Sequence, residues 1–120
     1  VKFDYKKILE NTEITNLDFE EVINKYKDDS KAVIYMDPPY YTKATFMDYN
    51  EGKKNDFERI IDIIKNPDYK CLIILNCDFN GYVYDKLKDH IKFHYPSNFN
   101  LSNQKIKKYQ PQYQVIITNR

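Results

Sequence analysis

Residues 32–41 read AVIYMDPPYY, and this stretch decides how the rest of the chain is interpreted. Ala32 to Met36 form an apolar run that follows a polar turn and ends just before two prolines. An apolar run of this length between turn-forming residues predicts a buried strand that ends in a turn. Because proline fixes φ and lacks an N–H, Pro38 and Pro39 hold that turn rigid and leave carbonyl acceptors beside Asp37.

Apolar residues elsewhere alternate between helical and strand spacing. The spacing predicts three helices, carried by Phe19, Val22, Ile23 and Tyr26, by Phe57, Ile60, Ile61 and Ile64, and by Tyr84, Leu87 and Ile91. Three more strands are predicted at residues 71–75, 92–95 and 115–117, with a polar loop over 96–113. Asp18 is placed to cap the first helix. The order predicts one α/β domain over residues 1–120, with a mainly parallel sheet flanked by helices and the last strand between or beside the others.

Composition excludes several classes of protein. The net charge of +1 gives no global field toward nucleic acid or membrane, so any DNA contact is local. Two glycines cannot form a glycine-rich phosphate loop, and no apolar run approaches a membrane span. Cys71 and Cys77 lie in and after an apolar run, which predicts packed, reduced thiols and a cytoplasmic location. His90 and His94 lack partners at ligand spacing, so we expect no metal site.

The tetrapeptide Asp37-Pro38-Pro39-Tyr40 carries the chemistry. Carboxylate and carbonyl acceptors beside a flat aromatic ring suit the exocyclic amino group of a base. Hydrogen bonds from that amine to Asp37 and to the Pro38 carbonyl would localise its lone pair and direct it at an electrophile. Ligands of α/β sheets bind beyond the carboxyl ends of the strands, where the tetrapeptide and residues 76–79 are expected. The alternative is a rigid turn in which Asp37 satisfies local N–H groups.

Several segments resemble the Dam-like (D12) adenine-N6 DNA methyltransferases. The stretch AVIYMDPPYY resembles the catalytic motif of that family, and EITNLDFEEVI at 13–23 resembles its donor-binding Asp-Phe segment. Residues 37–60 resemble its aromatic loop and the following helix, and YQVIITNR at 113–120 resembles its last strand. The resemblance implies part of a Rossmann-like, S-adenosylmethionine-dependent methyltransferase sheet with a final antiparallel strand.

The same resemblance implies roles for single residues. Asp37 and the Pro38 carbonyl would bind the target amine, and Tyr40 would stack on an adenine flipped out of double-stranded DNA. Asp18, the backbone N–H of Phe19 and again Asp37 would bind the methyl donor, S-adenosylmethionine. For Asp18 and Phe19, helix capping and core packing are equally good explanations.

Further contacts to the base or to phosphates are predicted at Tyr41, Asn76, Lys105, Lys107 and Lys108. For the lysines, a solvated loop is the commoner explanation. Tyr41 belongs to an aromatic loop that could equally close the sheet edge, and Asn76 is chosen from its position at a strand end.

The F-x-G-x-G loop, an early lysine and the target-recognition insert of the family are not found in these 120 residues. The resemblance therefore implies the later part of a catalytic domain, completed by a donor-binding half. The predicted function is a site-specific DNA adenine-N6 methyltransferase, or part of one, of the kind found in restriction–modification systems. Two alternatives stay open: an amino-group methyltransferase acting on RNA, and a non-catalytic remnant that binds DNA or protein.

Overall fold

The computed structural model describes residues 3–38, 56–79, 81–97 and 112–120. Within these ranges the helices and strands follow in the order α1 (Tyr5–Ile8), α2 (Phe19–Tyr26), β1 (Val33–Met36), α3 (Asp56–Lys65), β2 (Leu72–Asp78), α4 (Gly81–Leu87), a 3₁₀ helix (Lys88–His90), β3 (Ile91–Ser97) and β4 (Gln112–Thr118). The mixed α/β class and the predicted helices at α2 and α3 are confirmed. The short α1 was not predicted.

The described strands form one four-stranded sheet in the order β1-β2-β4-β3. β1 and β2 are parallel, whereas β4 is antiparallel to both of its neighbours. The strands β1, β2 and β3 therefore point in one direction, and the last strand of the chain is inserted between two of them in the opposite direction. The predicted antiparallel last strand is confirmed, but the described sheet is mixed, with one parallel and two antiparallel pairs of neighbouring strands, because β4 lies between β2 and β3.

The hydrophobic core lies between one face of the sheet and the helices α2, α3 and α4. Apolar side chains recur at helical spacing along α3, and alternate residues of β2 are buried, so both elements present an apolar surface to the same layer. Each fully buried aliphatic side chain stabilises the fold by about 1.5–3 kcal/mol. The side chains that are at most 2% exposed are Ile23, Ile64, Cys71, Ile73, Leu75, Val83, Leu87, Val115 and Ile117.

The opposite face of the sheet, which we call the open face, carries apolar side chains that stay accessible. Val33 and Tyr35 in β1 are 62% and 60% exposed, and Phe93 in β3 is 57% exposed. Leu72 and Ile74, which pair with Val33 and Tyr35, are half-buried. Among the described helices, α2, α3 and α4 bury their side chains in the core on the other face, and α1 buries none.

The prediction of a fully buried strand at residues 32–36 is therefore wrong for one face of β1. Met36 is buried and Ile34 is half-buried against the core, but Val33 and Tyr35 point away from it. The reason is that β1 is the edge strand of the described sheet and has a helix layer on one side alone.

Three predicted boundaries also differ. β2 extends to Asp78, because Cys77 and Asp78 pair with Val115 and Gln114 of β4. Ile91, predicted on the third helix, begins β3, because α4 ends at Leu87 and a 3₁₀ turn follows. The predicted loop over 96–113 is shorter at both ends, since β3 and β4 extend into it.

Both cysteines are buried free thiols, as predicted. Burial raises the pKa of Cys77 to about 12, and burial also raises the pKa of Cys71. Among the described helices, none has the length and apolar character needed to cross a membrane.

Candidate active site

Asp37 and Pro38 lie directly after β1, at the carboxyl end of the parallel pair β1–β2. The last register pair of these strands is Met36 with Leu75, so Asp37 and Asn76 are the next residues along their neighbouring chains. The Asp37 side chain is exposed, and Pro38 is half-buried. The predicted placement of these two residues at a strand's carboxyl end is confirmed, and their chemical roles stay predictions.

Helix α2 ends beside the start of β2. The carbonyl of Lys27, at the C-terminal end of α2, accepts hydrogen bonds from the backbone N–H groups of Lys70 and Cys71, at 2.7 and 3.2 Å. These contacts fix the end of α2 beside the start of β2. An eight-residue helix is about 12 Å long, so Asp18 lies about one helix length away from this contact.

Asp18 combines a capping role with an ion pair. Its Oδ1 accepts a hydrogen bond from the backbone N–H of Glu20 at 3.0 Å, which confirms the predicted N-cap of α2. The same oxygen accepts a hydrogen bond from Nη2 of Arg59 at 2.5 Å, and the side chain remains 44% exposed. The Arg59 guanidinium, and after it the Glu20 N–H, hold the pKa of Asp18 below its ordinary value.

Phe19 is half-buried, and its ring packs against the core. The guanidinium carbon of Arg59 lies 4.4 Å from the ring centroid, within the range of a cation–π contact. As the first residue of α2, Phe19 has a backbone N–H without an intrahelical acceptor. The predicted core packing of Phe19 therefore leaves its backbone donor available at the helix N-terminus.

Asn76 is part of a polar network on the open face. The Tyr95 hydroxyl lies 3.0 Å from Oδ1 of Asn76 and 2.8 Å from Oε1 of Gln114. Both oxygens are acceptors, and a tyrosine hydroxyl carries one hydrogen, so the two amides share this donor. Asn76 is thus a residue of β2 held by β3, and its predicted contact with the base stays a prediction.

Comparison with known proteins identifies the family of this chain. Residues 3–114 match the family of D12 class N6 adenine-specific DNA methyltransferases. The chain belongs to this family. It is also 26% identical over 96 residues to the type II methyltransferase M.CviBI of Paramecium bursaria Chlorella virus NC1A, a match that covers 75% of this chain and 36% of the viral protein. No solved structure matches significantly.

Membership in the D12 class confirms the resemblance drawn from the sequence. The chain spans about a third of the length of its viral relative. Methyltransferases of this class use a methyl donor. Six residues with predicted roles in catalysis or substrate binding lie outside the described ranges: Pro39, Tyr40, Tyr41, Lys105, Lys107 and Lys108.

Sequence reasoning about this D12-class chain missed Arg59. Its spacing from Asp56 indicates an i,i+3 ion pair on a helix, which is common and says nothing about a site. The partner that matters, Asp18, is 41 positions away, so no local pattern could have revealed the contact. Within the described ranges, no three His, Cys, Asp or Glu side chains form a group that could hold a metal ion.

Proposed function

We propose that this chain is the target-base-binding part of a DNA adenine-N6 methyltransferase that acts on double-stranded DNA, with S-adenosylmethionine as the methyl donor. The observation that carries the proposal is the position of Asp37-Pro38 at the carboxyl end of β1 in a chain of the D12 family. The finer assignment of a Rossmann-like methyltransferase sheet belongs to the same proposal, and the strand order with its single reversed strand supports it.

Asp37 and Pro38 provide two acceptors for one amino group. The lone pair of an exocyclic amine is delocalised into the ring, so the amine is a poor nucleophile until both N–H groups are held. The exposed carboxylate of Asp37 and the carbonyl of Pro38 accept these two hydrogen bonds and direct the lone pair away from the ring. The adenine has to leave the duplex first, because its amino group is otherwise paired. Orientation of the amine supplies most of the rate enhancement.

Asp18 and Phe19 suit the adenine end of the methyl donor. The Asp18 carboxylate is an exposed acceptor for an amino group, and the free N–H of Phe19 beside it is a donor for a ring nitrogen. This acceptor–donor pair matches one edge of an adenine. When bound, S-adenosylmethionine supplies an electrophilic methyl group on its sulfonium.

A complementary donor-binding half completes the enzyme in this proposal, and the open face supports it. The N–H of Leu72 donates to the carbonyl of Ala32, so Ala32 directs its backbone groups toward β2. Because alternate residues of a strand face opposite edges, the backbone N–H and C=O groups of Val33 and Tyr35 face away from β2. An exposed edge with apolar, uncharged side chains invites pairing with another strand. The chain covers 36% of its viral relative, so a full-length protein of that kind has ample sequence to supply this strand and a second helix layer.

The proposal is tested by methyl transfer from labelled S-adenosylmethionine to duplex DNA, with the chain supplied together with a segment that carries the F-x-G-x-G loop. Asp37→Ala should lower kcat by about 10²–10³, the usual cost of losing one preorganised polar group in an active site. Asp85→Ala, an exposed carboxylate on α4, is the matched control and should retain wild-type activity.

Mass spectrometry of the product separates the alternatives. N6-methyladenine in DNA is the expected product, and retention of wild-type activity by Asp37→Ala would contradict the assigned chemistry. Methylation of RNA in place of DNA would favour the RNA enzyme. DNA or protein binding without any methyl transfer by the completed protein would favour the non-catalytic remnant.

A further inference from the structure

Arg59 on α3 gathers three carboxylates around a single guanidinium. Its Nη2 donates to Asp18 Oδ1 at 2.5 Å, its Nε donates to Glu20 Oε1 at 2.7 Å, and its Nη1 donates to Asp56 Oδ1 at 3.0 Å. The Arg59 side chain is 24% exposed, which makes it the most enclosed member of the group. Each nitrogen of the fork has its own acceptor, so the guanidinium has one well-defined orientation.

The same guanidinium also contacts Phe19, with its carbon 4.4 Å from the ring centroid. One side chain from α3 therefore touches both neighbours, Asp18 and Phe19, at the start of α2. The carboxylate orientation of Asp18 and the ring position of Phe19 are therefore set by the same side chain.

Stability alone is a weak explanation for this arrangement. Helices α2 and α3 already share one hydrophobic core, to which Ile23, Ile60 and Ile64 belong. Partly exposed ion pairs contribute little to stability, because water screens them and side-chain entropy opposes them. The Glu20 N–H keeps Asp18 in its capping position without help from Arg59. What Arg59 adds is a fixed direction for an exposed carboxylate.

We infer that Arg59 is a positioning residue for the methyl-donor site, holding the Asp18 carboxylate in the geometry that receives the adenine of S-adenosylmethionine at the start of α2. The inference rests on the proposed function. Arg59 acts through Asp18 and Phe19 and takes no part in the transfer itself, so its loss weakens donor binding and leaves the chemical step intact.

The test compares three variants of the chain, each completed by the donor-binding half. Arg59→Gln should raise the KM for S-adenosylmethionine about tenfold, the size expected for one charge-assisted hydrogen bond discounted for partial exposure. The values of kcat and of the KM for DNA should change by less than about twofold. Both are measured at saturating donor, where weaker donor binding no longer limits the rate.

The other two variants separate positioning from charge. Arg59→Lys should recover part of the donor affinity, because an ammonium reaches Asp18 but cannot bridge several carboxylates and cover the Phe19 ring at once. Asp56→Asn is the matched control: it removes one arm of the same cluster on an 81% exposed side chain and should leave the donor KM unchanged.

Each other outcome overturns the inference. An Arg59→Gln variant with the wild-type donor KM would show that Asp18 and Phe19 need no positioning. A loss of kcat together with a lower urea midpoint would assign Arg59 a structural role. If the completed wild-type protein neither binds the donor nor transfers a methyl group, the proposed function fails and the inference fails with it. The wild-type measurement therefore separates this result from the two results for the Arg59 variant.

Discussion

Cys77 provides a sharp test of where β2 ends. The predicted strand ends at Leu75 and leaves Cys77 as a packed thiol just after the strand. In the structure Cys77 is 5% exposed and pairs with Val115 of β4. Alkylation with iodoacetamide at pH 8 should therefore be slow in the folded chain and fast in the same chain unfolded by urea.

The size of the effect follows from the pKa of the Cys77 thiol. Burial raises that pKa from an ordinary value of 9.0 to about 12, which lowers the thiolate fraction at pH 8 by about 1,000-fold. A more basic thiolate is intrinsically a better nucleophile, which offsets roughly twentyfold of this loss. Ionisation alone then predicts alkylation about fiftyfold slower in the folded chain, and steric exclusion slows it further.

Fragment-ion mass spectrometry distinguishes alkylated Cys77 from alkylated Cys71 in the wild-type chain, so no substitution is needed. A Cys77 rate within about tenfold of the unfolded rate would refute the extension of β2. The raised pKa has a second consequence. Above pH 9 the unfolded chain loses its thiol proton before the folded chain does, so the contribution of Cys77 to the free energy of unfolding falls as the pH rises toward 12.

Three further outcomes are expected. Tyr35→Lys should weaken binding of the donor-binding half at least about tenfold in calorimetry, because an apolar contact is replaced by a charge. The control Tyr84→Lys on α4 should leave that affinity unchanged. Equal losses of affinity in the two variants would show that the open face is not the interface. Because the pKa of Asp18 is lowered, the stabilisation that Asp18 provides is present above pH 3.8, its ordinary pKa, and is lost as the pH falls through the lowered pKa. Asp18→Asn should therefore flatten the pH dependence of the urea midpoint below about pH 4. An unchanged acid profile in this variant would contradict the ion pair. Ile64→Ala, at a site that is 1% exposed, should lower the free energy of unfolding by about 2–5 kcal/mol. The control Ile8→Ala, at a site that is 62% exposed, should lower it by less than about 0.5 kcal/mol. Similar urea midpoints for the two variants would place Ile64 outside the core.

Local patterns predicted the elements that short-range forces control. The helical spacing from Phe57 to Ile64 marks α3 because residues three and four apart share one face of a helix. Asp18 was recognisable as an N-cap because its carboxylate reaches an N–H two residues on. The turn predicted at Asp37-Pro38 rests on an equally local restriction, since proline limits the backbone at its own position and at the one before it.

Tertiary pairing explains where the predictions failed. The apolar spacing of β2 was followed to Leu75, but hydrogen bonds to β4 carry the strand on through Cys77 to Asp78. Val33 and Tyr35 have the composition of a buried strand, yet they are exposed because the described helices that bury side chains pack on the other face of the sheet. Burial depends on which layers are present, and composition does not report that.

The sequence by itself determined that this chain is a mixed α/β protein of the D12 class, and it placed Asp37 and Pro38 directly after the strand β1. That information is local, because strand and helix periodicity, capping and proline geometry act over a few residues. The tertiary structure alone decided that Arg59 reaches across 41 positions to Asp18 and Phe19, and that one face of the sheet is left open. Both features depend on how elements pack in space, and contacts between residues far apart in sequence leave no periodic signal in a single chain.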